Sequence, residues 1–269
     1  MSVFDTLTSL KMQGAIRVLI YGPPKIGKTT LASEFPNPVF LQLEDGQNST
    51  TETTGWGRES LQNYDDLRAK LQGLYEEAHD FKTVVIDSAS ALQWLVWAET
   101  CRRGDEKYPK GVDTIEKFGY GKGYKYASYI WQELLDDLNL LRLHRNMHVV
   151  LIGHSKILKF DNPEGASFDR YEIDVHEIAS KILEREMDAI LLVKQDISIK
   201  EEDQGFNKTR GIAQGLNRFI FACARPAFIA GNRIGLPEKL NFVAGKGFAA
   251  IEPFLPAQPV SQTTDQAAE

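Results

Sequence analysis

The chain has 269 residues, 42% of them hydrophobic, enough to bury one substantial core and too apolar for a disordered polymer. A formal net charge of −6 argues against general attraction to nucleic acid, so any such binding must use a local basic strip. No apolar run reaches bilayer length, the N-terminus lacks a signal-peptide pattern, and Cys101 and Cys223 match no metal or redox spacing, which predicts a cytoplasmic protein with no membrane partner and no zinc or disulfide framework.

In chain order, residues 1–14 read as a short arm or helix. Brief apolar, β-branched runs at 17–21, 39–43, 83–87, 148–153 and 189–194 predict strands buried on both faces of a parallel sheet. Helical patterns cover 28–34, 64–79, 89–103, 124–143 and 176–186, and the alternation predicts an α/β fold with right-handed crossovers. Residues 103–123 and 155–174 read as long loops. Beyond residue 205, strand-like runs at 218–223 and 227–230 precede "NRIGLPEKLNF", and residues 256–269 read as a disordered tail. The expected organisation is an arm (1–14), a core (15–255) and a tail (256–269).

"GPPKIGKTT", from Gly22 to Thr30, fits GxxxxGK[ST] between a buried strand and a helix. Gly22 and Gly27 let the backbone wrap phosphate oxygens, and Pro23, Pro24, Lys25 and Ile26 complete the cradle before Lys28, Thr29 and Thr30. Lys28 is expected to face solvent and reach the β- and γ-phosphates, with the Thr29 hydroxyl on Mg²⁺. Asp87, ending "KTVVID", is the second expected Mg²⁺ group, or else the cap of the helix that starts at Ala89.

Ser88 stands where many motor-type ATPases carry a glutamate that orients the attacking water. The substitute is sought in "PVFLQLEDG", where Glu44 follows a strand end, with Asp45 as its competitor. "VVLIGHS" repeats the pattern and offers His154 as a γ-phosphate sensor, or as a histidine bonded at a strand end.

These four pieces resemble the RecA-like ATPases, and more closely the compact phage-type, single-domain RecA-like family that includes phage single-strand annealing proteins. "FGYGKGYKYA", "DRYEIDVHEIASKILEREMDAILL" and "NRIGLPEKLNF" extend the resemblance from about Ile16 to Phe254. It implies a RecA-like P-loop fold, a mainly parallel central sheet with helices on both faces. The His154 strand would lie between the phosphate-loop and Asp87 strands, and Glu44 would be the catalytic glutamate. ATP, Mg²⁺, DNA-stimulated hydrolysis, recombination or annealing, a bacterial cytoplasm, and self-association into a ring or filament are implied with it. In that family a Lys-Asn-Lys segment reaches the neighbouring subunit's ATP. Here Arg233 takes the place of the second lysine and Gly231 that of the first, with Arg225 in "CARPAF" as a second candidate. Phe4 and Leu7 are the apolar residues the arm offers for docking.

Single-stranded DNA is expected on "EKFGYGKGYKYASY", where Lys122 and Lys125 alternate with Tyr120 and Tyr124, or on the segment after His154, with Lys156 and Lys159. The alternative for Tyr124 is inward packing at a helix start. Two further classes remain open: a nucleotide-switched DNA-binding or accessory protein with little turnover, and a small-molecule kinase, which would need an arginine-rich lid.

Overall fold

β1 (Arg17–Gly22) sends Leu19 and Tyr21 to one face and Val18 and Ile20 to the other, all fully buried, so it must lie inside a sheet covered on both sides. The computed structural model describes residues 14–45, 52–162, 165–195, 198–203, 209–214 and 217–257. The proposed arm, apart from Gly14, and the tail from residue 258 lie outside the described residues.

After β1 come α1 (Lys28–Ser33), β2 (Pro38–Gln42), β3 (Gly55–Trp56), α2 (Tyr64–Glu76), β4 (Thr83–Asp87), α3 (Ala89–Arg103) and α4 (Lys122–His144). Then follow β5 (His148–Phe160), β6 (Phe168–Ile173), α5 (Glu177–Glu186) and β7 (Ala189–Gln195). A hairpin of β8 (Ser198–Asp203) and β9 (Thr209–Gln214) leads to β10 (Arg218–Phe221), β11 (Gly231–Asn232), β12 (Lys239–Phe242) and α6 (Gly247–Ile251).

The main sheet has the order β12-β10-β7-β1-β5-β4-β2-β3. From β7 to β3 every pair is parallel, while β10 and β12 add an antiparallel edge. β5 lies between β1 and β4, the order the resemblance implies. Helices α2 to α5 cover one face of this α/β P-loop fold, and α1 and α6 cover the other. Each face buries its own apolar core.

Caps explain the helix starts. Asn63 and Asp66 form a capping box on α2, and the Ser88 hydroxyl accepts the Ala91 N–H at 3.2 Å to open α3. Asp87 is therefore not the α3 cap. α4 begins at Lys122, two residues before the expected start, and α2 stops at Glu76 rather than at residue 79.

Two readings are corrected. Residues 155–174 are not a loop: β5 runs past Gly153 to Phe160 and returns as β6, with Ser155 paired to Ile173 and Phe160 to Phe168. Beyond His154 its side chains are exposed or half-buried, so the uninterrupted apolar run that marks a core strand is missing. Residues 227–230 form no strand. Phe228 makes isolated bridges to Tyr171 and Arg225 and packs its ring on Phe221 instead.

At the sheet end opposite the phosphate loop, His148 is buried and its Nδ1 accepts the Ile16 N–H at 3.2 Å. Burial pulls its pKa down to about 4. An unfolded histidine titrates near 6.5, so between these values the unfolded chain binds the extra proton. This contribution is complete above pH 6.5 and is lost as pH falls through 4, amounting to about 3 kcal/mol. Chemical denaturation from pH 7 to 4 should show that slope, and His148→Gln should flatten it.

Candidate active site

The site is built where three parallel strands end. Gly22, closing β1, pairs with His154 on β5, while Asp87, closing β4, pairs with Ile152 on β5 and Gln42 on β2. One ladder bond continues past β2: the Leu43 N–H donates to the Asp87 carbonyl at 2.7 Å. The next residue, Glu44, is thereby laid beside Ser88.

The phosphate loop needs glycine at both ends. A Cβ on Gly22 would stand 2.2 Å from the Val193 carbonyl oxygen. Gly27 caps α1 with φ of 107°, in the left-handed region that favours glycine. Between them Lys25 also has a positive φ of 61°. Thr30 follows Thr29 in the first turn of α1.

Lys28 does not face solvent as expected. Only 6% exposed, it folds back so that Nζ donates to the carbonyls of Gly22 at 3.0 Å and Pro23 at 2.9 Å. Burial lowers its pKa, and the charges of Asp87 and Glu44 oppose that shift. Thr29 Oγ1 donates to Asp87 Oδ2 at 3.0 Å, so the hydroxyl and carboxylate expected to hold Mg²⁺ converge. Burial raises the Asp87 pKa, and the Thr29 bond opposes it. A desolvated carboxylate beside a threonine hydroxyl and a glycine-lined loop fits a magnesium nucleotide.

Glu44 meets this pair from the other side. His154 Nε2 donates to its carboxylate at 3.0 Å, and the Ser88 hydroxyl donates to Oε1. The His154 bond holds the Glu44 pKa below the usual carboxylate range, and the same bond raises the His154 pKa. Asp45 is 81% exposed and paired with Arg58 at 2.8 Å, outside this cluster. Ser88 thus has two tasks, capping α3 and orienting Glu44.

Arg233 is not brought to this site. Its Nη2 donates to the Arg185 carbonyl at 2.7 Å, and Nη1 lies 3.9 Å from Asp188, the residue before β7. That is the opposite end of the sheet, roughly 17 Å of β1 away. The basic segments divide as well. Tyr120 is fully exposed between Gly119 and Gly121, both with positive φ, and Lys122 and Lys125 are exposed at the start of α4. Tyr124 instead stacks on His176 at 4.1 Å and bonds Glu116. Lys156 is taken by the Val175 carbonyl at 2.6 Å, whereas Lys159 is exposed on the β5–β6 hairpin.

Sequence reasoning missed two contacts. Arg218 of β10 reaches the phosphate loop, 192 residues away in the chain, with no local pattern to mark it. Glu34 accepts the N–H groups of Gly245 at 2.6 Å and Phe248 at 3.0 Å, tying α1 to the segment after β12; a carboxylate immediately after "KTTLAS" was its faint signal.

A family model described as an AAA domain matches residues 14–234, which include the phosphate loop, Glu44, Asp87, His154 and Arg233. A search of curated proteins finds no match.

The burial of Lys28 makes a test. Lys28→Ala should abolish nucleotide binding and also lower the melting temperature by about 3–6 °C, since two loop carbonyls lose a charged donor. An unchanged melting temperature in calorimetry would contradict the buried placement.

Proposed function

We propose that this chain, which belongs to the AAA domain family and is a P-loop ATPase domain of that kind, works as a RecA-like ATPase on single-stranded DNA in recombination or annealing. The hydrolytic half of the proposal rests chiefly on Glu44, an ionised carboxylate set by Ser88 and His154 next to the Thr29–Asp87 pair. In this reading Lys28 leaves its loop carbonyls for the β- and γ-phosphates, and the loop N–H groups wrap the rest. Thr29 and Asp87 would hold Mg²⁺, which when bound offsets the charge on the phosphate oxygens. Glu44 orients a water in line with the γ-phosphate and takes its proton. His154 stands where β5 leaves the sheet, so a change at Glu44 is felt at the hairpin.

The nucleic-acid half is supported by Tyr120, Lys122, Lys125 and Lys159, with Tyr129 added. Lys122, Lys125 and Tyr129 recur at intervals of three and four on α4, and all are exposed. Phosphates on the lysines and bases on the rings suit a single strand. Tyr124 and Lys156 are already engaged within the chain and take no part in this surface. A nucleotide switch with little turnover is favoured by one observation: both Glu44 oxygens already have donors.

ATPase rates with and without single-stranded DNA separate the two. Stimulation is expected, whereas slow turnover unmoved by DNA would favour the switch. Glu44→Gln should keep ATP binding and lose at least about 100-fold in rate, with Asp45→Asn near wild type. The reverse pattern would make Asp45 the base.

Self-association into a ring or filament is part of the proposal, with Arg233 acting on a neighbour's nucleotide. Its side chain is 54% exposed and far from its own phosphate loop. Mixing Arg233→Ala with Lys28→Ala subunits should restore part of the ATPase activity. Co-assembled mixtures with none at any ratio would rule out the trans role.

A further inference from the structure

Arg218 opens β10 on the antiparallel edge, where no motif marks it. Its Nη1 donates to the Ile26 carbonyl at 3.1 Å, and its guanidinium lies 4.8 Å from the centre of the Phe242 ring. A Cβ on Gly27 would come within 2.7 Å of that Nη1 and 2.9 Å of the ring, so the pair presses on the back of the phosphate loop. Among the described residues no carboxylate pairs with Arg218. A half-buried guanidinium with five donors thus has a loop carbonyl and a ring as its neighbours.

The Ile26 carbonyl and the Gly27 N–H belong to one trans peptide and point in opposite directions. Holding the oxygen outward at Arg218 aims the Gly27 N–H into the cradle. A charged donor on that oxygen also polarises the peptide and strengthens its N–H as a donor. We infer that Arg218 is a positioning residue for the bound nucleotide. It acts through the Ile26–Gly27 peptide and places positive charge behind the loop. The inference rests on the proposed reading of the loop as a nucleoside triphosphate site.

The test compares wild type, Lys28→Ala, Arg218→Met, Arg218→Ala and Arg218→Lys in titrations with a fluorescent ATP analogue and Mg²⁺. Steady-state ATPase kinetics and melting temperature without nucleotide complete it. Methionine keeps the stem against Phe242 but has no donor and no charge, so Arg218→Met should melt within about 2 °C of wild type. It should bind nucleotide about tenfold more weakly and raise KM with kcat within about twofold, the mark of lost uniform binding. Arg218→Ala should bind as weakly as Arg218→Met. Arg218→Lys, which still donates to Ile26, should recover part of the affinity. Wild-type affinity in Arg218→Met would reduce the residue to packing and overturn the inference, as would Arg218→Lys no better than Arg218→Met. If Lys28→Ala binds nucleotide as well as wild type, or wild type binds none, the nucleotide reading and this inference fall together. If wild type binds and Lys28→Ala does not, the Arg218 variants alone decide.

Discussion

One hydrogen bond beyond the end of a strand sets the site: the Leu43 N–H on the Asp87 carbonyl. It extends the β2–β4 ladder by one residue and lays Glu44 alongside Ser88. Parallel pairing does the rest, because strands in register end together and their first polar residues fall on one edge. Shifting β2 by one residue would turn Val39 and Leu41 toward the other face and carry Glu44 away from His154. Core packing and site geometry are therefore one constraint.

The charges on that edge are balanced in pairs. Burial disfavours both Lys28⁺ and Asp87⁻, and each eases the other's cost. Glu44 and His154 do the opposite: their hydrogen bond favours the charged form of both. The first pair is thus poised to exchange its partners for a ligand, since Lys28 is held by loop carbonyls and Asp87 by one hydroxyl. The second is held firmly, because each partner stabilises the other's charge.

How much of this was legible in the sequence depended on how local the signal was. The five core strands were legible because each is a short apolar run buried on both faces, and the phosphate loop because its glycines, lysine and threonine are contiguous. Glu44 and Asp45 stayed undecided, since adjacent residues after a strand end share one pattern. Burial separates them, with Asp45 turned out to Arg58. The β5–β6 hairpin was hidden because a strand that leaves the sheet loses its apolar run. Lys28 could not be recognised as buried, for its partners are backbone carbonyls that any sequence possesses.

The phosphate loop itself explains why so many outside groups hold it. Pro23 and Pro24 have no N–H, so after Gly22 the next backbone donor of the loop is that of Lys25. Few donors mean that the aim of each matters, and a loop with Lys25 and Gly27 at positive φ does not fix that aim by local preference. Three of its carbonyls are fixed by side chains instead, those of Gly22 and Pro23 by Lys28 and that of Ile26 by Arg218. At Ile26 this also fixes the N–H across the same peptide, that of Gly27, whereas the peptides after Gly22 and Pro23 end on proline nitrogens and carry none. The antiparallel edge, which the parallel core does not require, thereby acquires a task. β10 carries Arg218 to the loop, β12 carries the Phe242 ring beneath it, and Glu34 ties the following segment back to α1. The loop is gripped at its start by a residue six positions on and at Ile26 by one from the far end of the fold.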